Sequence, residues 1–250
     1  MATLVATPSR IPGLDSALEI KDLQKSRDAY NGLLDDAEQP PVLEEHIQKL
    51  AALFVRHNAH KTLGVHLIHG HFKTPENTVM LGSNFENPSG RWTKVTEIDA
   101  VDLSVVHGHI FVLTSDGFIA YEYQDGPMPD LSSVGKEFFA DFIDYLITND
   151  LTNLLGLQVL IDGMDQTMWE LILDQGTVML DATVVRGCSP TRITGWRFEA
   201  RDGQPRVCQA NEEHAKMTSG NHKVFNAGKP LPKLSDVDDL KKALINVEIL

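Results

Sequence analysis

The feature that most constrains the fold is a change in the spacing of apolar residues near Thr62. Before it, apolar residues recur at the three- and four-residue intervals of an amphipathic helix: Leu43, Ile47, Leu50 and Phe54. After it, apolar and polar residues alternate with a period of two, which is typical of strands. Ser16-Ala17-Leu18-Glu19 has the pattern of a capping box at a helix start. We therefore predict a helical hairpin over 16–58, followed by a sheet.

Ten candidate strands follow, and most of them are joined by short turns. They span 62–73, 77–83, 92–97, 104–114, 117–124, 156–161, 168–173, 176–181, 192–199 and 205–209. Because crossover helices between successive strands are mostly missing, the pattern disfavours a doubly wound parallel sheet. We predict an α+β fold, with the N-terminal helical hairpin followed by a largely antiparallel meandering β-sheet or partial barrel. One helix is inserted among the strands, and a helix over about 235–247 ends the chain.

The length of 250 residues suits one domain with a sizeable core. We predict a flexible leader over 1–15 and a single α+β domain over 16–250, with the helical hairpin packed on the sheet. The first residues lack a secretory signal, and no apolar run is long enough to span a membrane. Two cysteines, Cys188 and Cys208, cannot form a disulfide framework. These observations predict a cytoplasmic protein without a membrane partner.

The charge of the chain is acidic and unevenly distributed. There are 22 Lys and Arg residues against 35 Asp and Glu residues, a net charge of −13, so we expect no nucleic-acid partner. Between Glu97 and Asp181 stand sixteen acids and one cation, Lys136. A carboxylate-rich region favours cation binding. The segment 186–233 is basic, and we expect it to neutralise the acidic region in preference to binding an external anion.

The histidines carry the main functional signal. His-Gly-His occurs twice in strand-like runs, at His69-Gly70-His71 and at His107-Gly108-His109. Residues i and i+2 of a strand lie on one face about 6.5–7 Å apart, so each pair of imidazoles can converge on one ion. We predict that His69, His71, His107 and His109 hold a transition-metal ion, either iron, copper or zinc. The intervening glycine lets another backbone approach closely.

A carboxylate is predicted to join the histidine face. If Asp116-Gly117 is a two-residue turn, Phe111 pairs with Glu122 and His109 pairs with Gln124. Glu122 then lies diagonal to His109, and both are candidate catalytic residues. His214, His222 and Lys223 could complete a site, although an ordinary C-terminal loop is the simpler interpretation of that segment.

Three functional hypotheses remain open at this point. The first is an enzyme acting on a small organic metabolite through a mononuclear transition metal, as an oxidoreductase or a hydrolase. The second is a cofactor-free isomerase, cyclase or lyase that uses histidine acid–base chemistry. The third is a non-catalytic small-molecule-binding protein. Each implies a small-molecule ligand, and a homo-oligomer stays possible.

Overall fold

The computed structural model describes residues 10–161, 166–225 and 231–250. The helices in these ranges are α1 (Ile20–Asn31), α2 (Glu44–Arg56), α3 (Phe138–Thr148) and α4 (Val237–Asn246). The strands are β1 (Leu63–Leu67), β2 (Thr78–Phe85), β3 (Gly90–Glu97), β4 (Val106–Thr114), β5 (Gly117–Asp125), β6 (Leu155–Val159), β7 (Met168–Ile172), β8 (Gly176–Asp181), β9 (Cys188–Trp196), β10 (Phe198–Arg201), β11 (Gln204–Val207) and β12 (Glu212–Met217).

Ten of the strands close into one barrel in the order β1-β6-β4-β5-β2-β3-β8-β7-β12-β9, while β10 and β11 form a separate two-stranded sheet. The pairs β2–β5 and β7–β12 are parallel, and the other neighbours in the barrel are antiparallel. The α+β class is confirmed, but the predicted antiparallel meander or partial barrel is wrong, because the barrel is closed and mixed. Turn residues predict local hairpins such as β2–β3, whereas the two parallel pairs join segments that are distant in sequence.

Two strand boundaries matter for function. β1 ends at Leu67, so His69-Gly70-His71 lies beyond the strand and not within the predicted strand 62–73. Beyond β1 the backbone is held by the loop that follows α1, because the Gly70 amide donates to the Leu34 carbonyl at 2.8 Å. The last strand of the barrel, β12, was not among the predicted strands.

The two N-terminal helices pack on different elements, α1 on the barrel and α2 on the separate two-stranded sheet, and their main contacts are not with each other. α1 lies on β2 and β5, and α2 lies on β10, β11 and α3. α1 begins four residues later than predicted, with Glu19 as its N-cap; the Glu19 amide donates to the Asp22 carboxylate at 2.9 Å. The prediction of a helical hairpin over 16–58 is therefore correct in placing two helices there, but the two helices do not pack mainly on each other.

The predicted leader is described only from residue 10 onward. Ile11 and Leu14 are each 1% exposed and belong to the main apolar core. The Gly108 amide donates to the Gly13 carbonyl at 2.8 Å, so a second backbone does approach the glycine of the second His-Gly-His. Residues 11–14 are thus packed, whereas residues 1–9 lie outside the described residues. The division into a leader and one domain stays a prediction.

Apolar packing covers the outside of the barrel. α4 lies in a second core with residues of β7 and β8, where Leu240 and Leu244 are fully buried. Burial of each such side chain contributes about 1.5–3 kcal/mol. With apolar groups packed on the outer face, the inner face is free to carry polar groups. No helix in the described ranges has both the length and the apolar character needed to cross a membrane.

Candidate metal centre

The inner face of the barrel is polar, and the strand register shows why. Neighbouring strands pair Arg91 with Met179, Met179 with Glu170, and Glu170 with His214, which places these side chains on one face. Contacts between strands that are not neighbours identify this face as the interior. The Gln158 side chain on β6, for example, donates to both carboxylate oxygens of Glu212 on β12 at 2.8 Å.

Two histidines and one glutamate meet at this inner face. His69, His71 and Glu170 each offer a ligand atom, and these three atoms lie within 4.8 Å of one another. His71 Nε2 lies 3.4 Å from Glu170 Oε1, and His69 Nε2 lies 3.5 Å from Glu170 Oε2. Two atoms bound at about 2.0–2.1 Å to one ion lie roughly 2.9–3.4 Å apart. The two observed separations between a histidine nitrogen and a Glu170 oxygen are close to that spacing.

Buried atoms without partners support the fit of this group to a metal ion. Glu170 Oε2 is buried and accepts no hydrogen bond from any described residue. His69 Nδ1 donates to the Leu67 carbonyl at 2.8 Å, which leaves Nε2 with a free lone pair towards Glu170. A buried carboxylate oxygen without a hydrogen bond is costly, and an ion bound between these side chains would compensate it.

The loop between α1 and α2 holds the first His-Gly-His in place. Gln39 Nε2 donates to the Ile68 carbonyl and, at 3.1 Å, to the Asn153 carbonyl. Together with the Gly70–Leu34 hydrogen bond, this contact fixes the backbone on both sides of His69. The N-terminal segment therefore contributes to the site through its backbone contacts.

A second carboxylate orients a third histidine beside the group. His214 is fully buried, and its Nδ1 donates to Asp36 Oδ2 at 2.9 Å. Its Nε2 is buried without a partner among the described residues. Arg192 anchors Asp36 because it donates to the Asp36 carbonyl at 2.7 Å and to the Gln39 carbonyl at 2.9 Å. An imidazole held by a carboxylate, with its second nitrogen free, is oriented to meet a ligand.

The rings form a larger cluster that reaches the surface. We call it the histidine cluster, and it comprises His66, His69, His71, His214 and His222. His214 stacks on His71 at 5.2 Å between ring centroids, and His222 stacks on the other side of His214 at the same distance. His222 is exposed. The segment predicted to be an ordinary loop therefore brings two histidines to the centre.

The ionisation of two of the three candidate ligands suits a cation. Burial alone would raise the pKa of Glu170, but the nearby imidazoles of His71 and His69 hold it well below its usual range. Burial lowers the pKa of His71 despite the nearby Glu170 carboxylate. An ionised Glu170 and a neutral His71 are the forms that bind a metal. For His69, burial is outweighed by the nearby Glu170 carboxylate and the pKa is raised, so this imidazole must release a proton when it binds an ion.

The second His-Gly-His does not join this group. His107 and His109 lie on β4, and neither belongs to the set formed by His69, His71 and Glu170. His107 Nδ1 donates to the Gly108 carbonyl at 2.8 Å, and His109 is 1% exposed with Nδ1 unpartnered among the described residues. Convergence of the two motifs on one ion is therefore not observed, and the catalytic role of His109 stays a prediction.

Glu122 faces the barrel interior in a different register from the predicted one. The turn contains Ser115 and Asp116, and Thr114 pairs with Gly117, so the glycine is the first residue of β5. Its φ of 104° lies in the region that favours glycine. A bulge at His109 places Ile110, not Phe111, opposite Glu122.

The nearest charged partner of Glu122 is Arg91, whose Nη2 lies 3.3 Å from Glu122 Oε2. Arg91 Nε also donates to Gln124 Oε1 at 2.7 Å. Burial raises the pKa of Glu122 to about 7, against the opposing charge of Arg91. Glu122 is thus a buried acid beside an arginine, and its predicted catalytic role remains untested.

Sequence reasoning missed Glu170 and Asp36. Glu170 was placed on a predicted strand without a chemical role, although a lone acid within Met-Trp-Glu-Leu-Ile-Leu is the signal that could have identified it. Asp36 carries no local signal, because its partner His214 is 178 residues away. No family model, no curated protein and no solved structure matches this chain, so the site itself carries the functional argument.

Proposed function

We propose that this protein is an enzyme that acts on a small organic molecule with a mononuclear transition-metal ion held by His69, His71 and Glu170. The observation that carries the proposal is the approach of their three ligand atoms to within 4.8 Å of one another inside the barrel. Two histidines and one carboxylate form the ligand set of non-haem iron(II) sites and of several zinc hydrolases. Such an ion supplies Lewis acidity and, if it is iron, redox chemistry.

The surrounding residues position the ligands and a substrate. Leu67 and Gln39 fix the orientation of His69 and of the backbone next to it. His214, oriented by Asp36, offers Nε2 for a hydrogen bond to a bound substrate. His214 is paired in register with Glu170 on the neighbouring strand, so the backbone already places it beside a candidate ligand.

The metal ion decides between the two reaction classes. Iron(II) at this ligand set favours an oxidoreductase, and zinc favours a hydrolase. Cys188 and Cys208 are not joined in a disulfide, which accords with a reducing compartment, and we extend the proposal to a cytoplasmic location on that basis.

A second candidate function rests on the Asp36–His214 pair. A histidine whose Nδ1 donates to a carboxylate and whose Nε2 is free is also the arrangement used for general acid–base catalysis without a metal. This candidate corresponds to a cofactor-free isomerase, cyclase or lyase. Metal analysis separates the two, because only the first requires an ion.

The test is elemental analysis of untagged protein after gel filtration. We expect about one iron or zinc ion per chain in the wild type and less than about a tenth of that in His69→Ala/His71→Ala. The matched control is His107→Ala/His109→Ala, which removes two histidines from the other His-Gly-His and should keep the ion. Glu170→Gln should weaken metal binding about 10–100-fold in a competition titration with a chelator.

Two results would contradict the proposal. One is a sub-stoichiometric metal content that does not change in His69→Ala/His71→Ala. The other is equal loss of metal in both double variants, which would mean that the ion depends on the folded barrel in general and not on these ligands. Circular dichroism of each variant establishes that the comparison is made between folded proteins.

A further inference from the structure

A large surface cavity lies away from the metal centre, between α2 and the β10–β11 sheet. It has a volume of about 960 Å³. Its lining is basic: His60, Lys61, Arg197, Arg201 and Arg206 stand against one acid, Glu199. We call it the basic cleft. Its volume falls in the range of roughly 300–1,000 Å³ that is typical of small-molecule sites.

Three cations of the basic cleft lack a neutralising partner. Lys61, Arg201 and Arg206 form no ion pair within the part of the chain that the structure describes. Arg206 pairs in register with Glu199 across the β10–β11 turn, yet their charged groups do not come within ion-pair distance. A chain with a net charge of −13 has more than enough acidic residues to pair with these cations. Within the described residues, the acidic region of the chain forms no ion pair with these three cations, and the concentration of positive charge is local.

We propose that the basic cleft binds a small organic anion that bears phosphate or carboxylate groups. Guanidinium groups match the planar geometry of both anions, and two of them project from one short sheet whose backbone fixes their spacing. The cleft holds an apolar side as well, formed by Leu160, Phe198 and Val207, which can contact the organic part of such a ligand. An extended polyanion is disfavoured, because the acidic remainder of the surface repels it.

This inference does not depend on the proposed metal. The basic cleft and the metal centre share no residue. A failure of one proposal therefore leaves the other testable, and His69→Ala/His71→Ala should bind an anion in the basic cleft as the wild type does. That variant also removes the risk that a chelating anion is bound by the metal ion itself.

The test is isothermal titration calorimetry at about 50 mM salt with two probes, pyrophosphate and citrate. We expect at least one of them to bind to the wild type and to His69→Ala/His71→Ala alike. Arg201→Ala/Arg206→Ala should weaken that binding at least about tenfold, because two charge-assisted hydrogen bonds are lost. The matched control, Lys21→Ala/Lys242→Ala, removes the same charge from two exposed helix residues and should change the affinity less than about twofold.

The probes also distinguish the chemistry of the ligand. Preferential binding of pyrophosphate indicates a phosphate-bearing ligand, and preferential binding of citrate indicates a carboxylate. The proposal is overturned if neither probe binds, or if the cleft variant and the control variant weaken binding equally. Equal weakening would mean that the probes respond only to the overall charge of the chain.

Discussion

Replacement of Glu122 by glutamine should stabilise the protein at neutral and alkaline pH. Glu122 is 7% exposed, and burial raises its pKa from 4.5 to about 7, although Arg91 opposes the shift. The folded state therefore favours the protonated carboxyl. As the pH rises from 4.5 to 7, the unfolded chain loses this proton before the folded chain does, and the free energy of unfolding decreases. Above pH 7 the penalty is constant.

The magnitude follows from the size of the shift. One pKa unit corresponds to about 1.4 kcal/mol, so a shift from 4.5 to about 7 costs the wild type about 3 kcal/mol of stability at pH 8. Glutamine resembles the protonated carboxyl and can still accept a hydrogen bond from Arg91. We expect Glu122→Gln to raise the free energy of unfolding by about 3 kcal/mol at pH 8 and by about 1 kcal/mol at pH 5.

The assay is urea unfolding at both pH values, followed by the fluorescence of Trp92, Trp169 and Trp196. The control is Glu76→Gln, an exposed glutamate, which should change stability by less than about 0.5 kcal/mol at either pH. A loss of stability at pH 8 would refute the reasoning. It would mean that the ion pair with Arg91 outweighs the cost of burying the charge.

Three further predictions concern stability. Leu244→Ala should cost about 2–5 kcal/mol because Leu244 lies on the fully buried face of α4, whereas the adjacent Ile245→Ala, at 56% exposure, should cost less than about 0.5 kcal/mol; urea unfolding compares them. Gly108→Ala should destabilise the protein by about 1–3 kcal/mol in thermal unfolding, since the added Cβ would lie 2.3 Å from Phe111 Cζ. Its control is Gly32→Ala, whose Cβ would meet no atom closer than 3.4 Å and which should be neutral or stabilising by up to about 1 kcal/mol. Asp36→Asn should cost about 1–3 kcal/mol because the buried His214 loses its ionised acceptor. Burial alone would raise the pKa of Asp36, but His214 lowers it, so the wild type gives up this stability as the pH falls towards that lowered pKa, and the difference between the two proteins should shrink. An unchanged midpoint in Asp36→Asn would mean that this pair contributes nothing to the fold.

The sequence predicts the elements of the fold better than their assembly. Alternation of apolar residues locates most strands, because the two-residue period of a strand is a local property of the sequence. The parallel pairs β2–β5 and β7–β12 depend on segments about 40 residues apart, and no local pattern specifies them. Closure of the barrel was therefore not predictable from periodicity or from turn residues.

The same limit applies to the candidate site. The His-Gly-His motif correctly predicts His69 and His71 as members of the candidate site. The identical motif at His107 lies within a strand, and the sequence alone does not distinguish the two environments. Glu170 is about 100 residues from His71, so its approach depends on the tertiary fold. The acidic region that contains Glu170 was interpreted as favouring a cation, and the position of Glu170 beside two imidazoles accords with that interpretation.

The strand order has a consequence for the folding pathway. Without β9 and β12, the other eight barrel strands form an open sheet with β1 at one edge and β7 at the other. His69 and His71 follow β1, and Glu170 lies on β7, so the candidate ligands stay a full sheet width apart until the last two barrel strands are in place. Ribosomal synthesis must therefore reach β12 before the three ligand atoms can meet, and contacts this distant in sequence make closure slow. An ion bound by all three would hold the two edges together and slow the opening of the barrel.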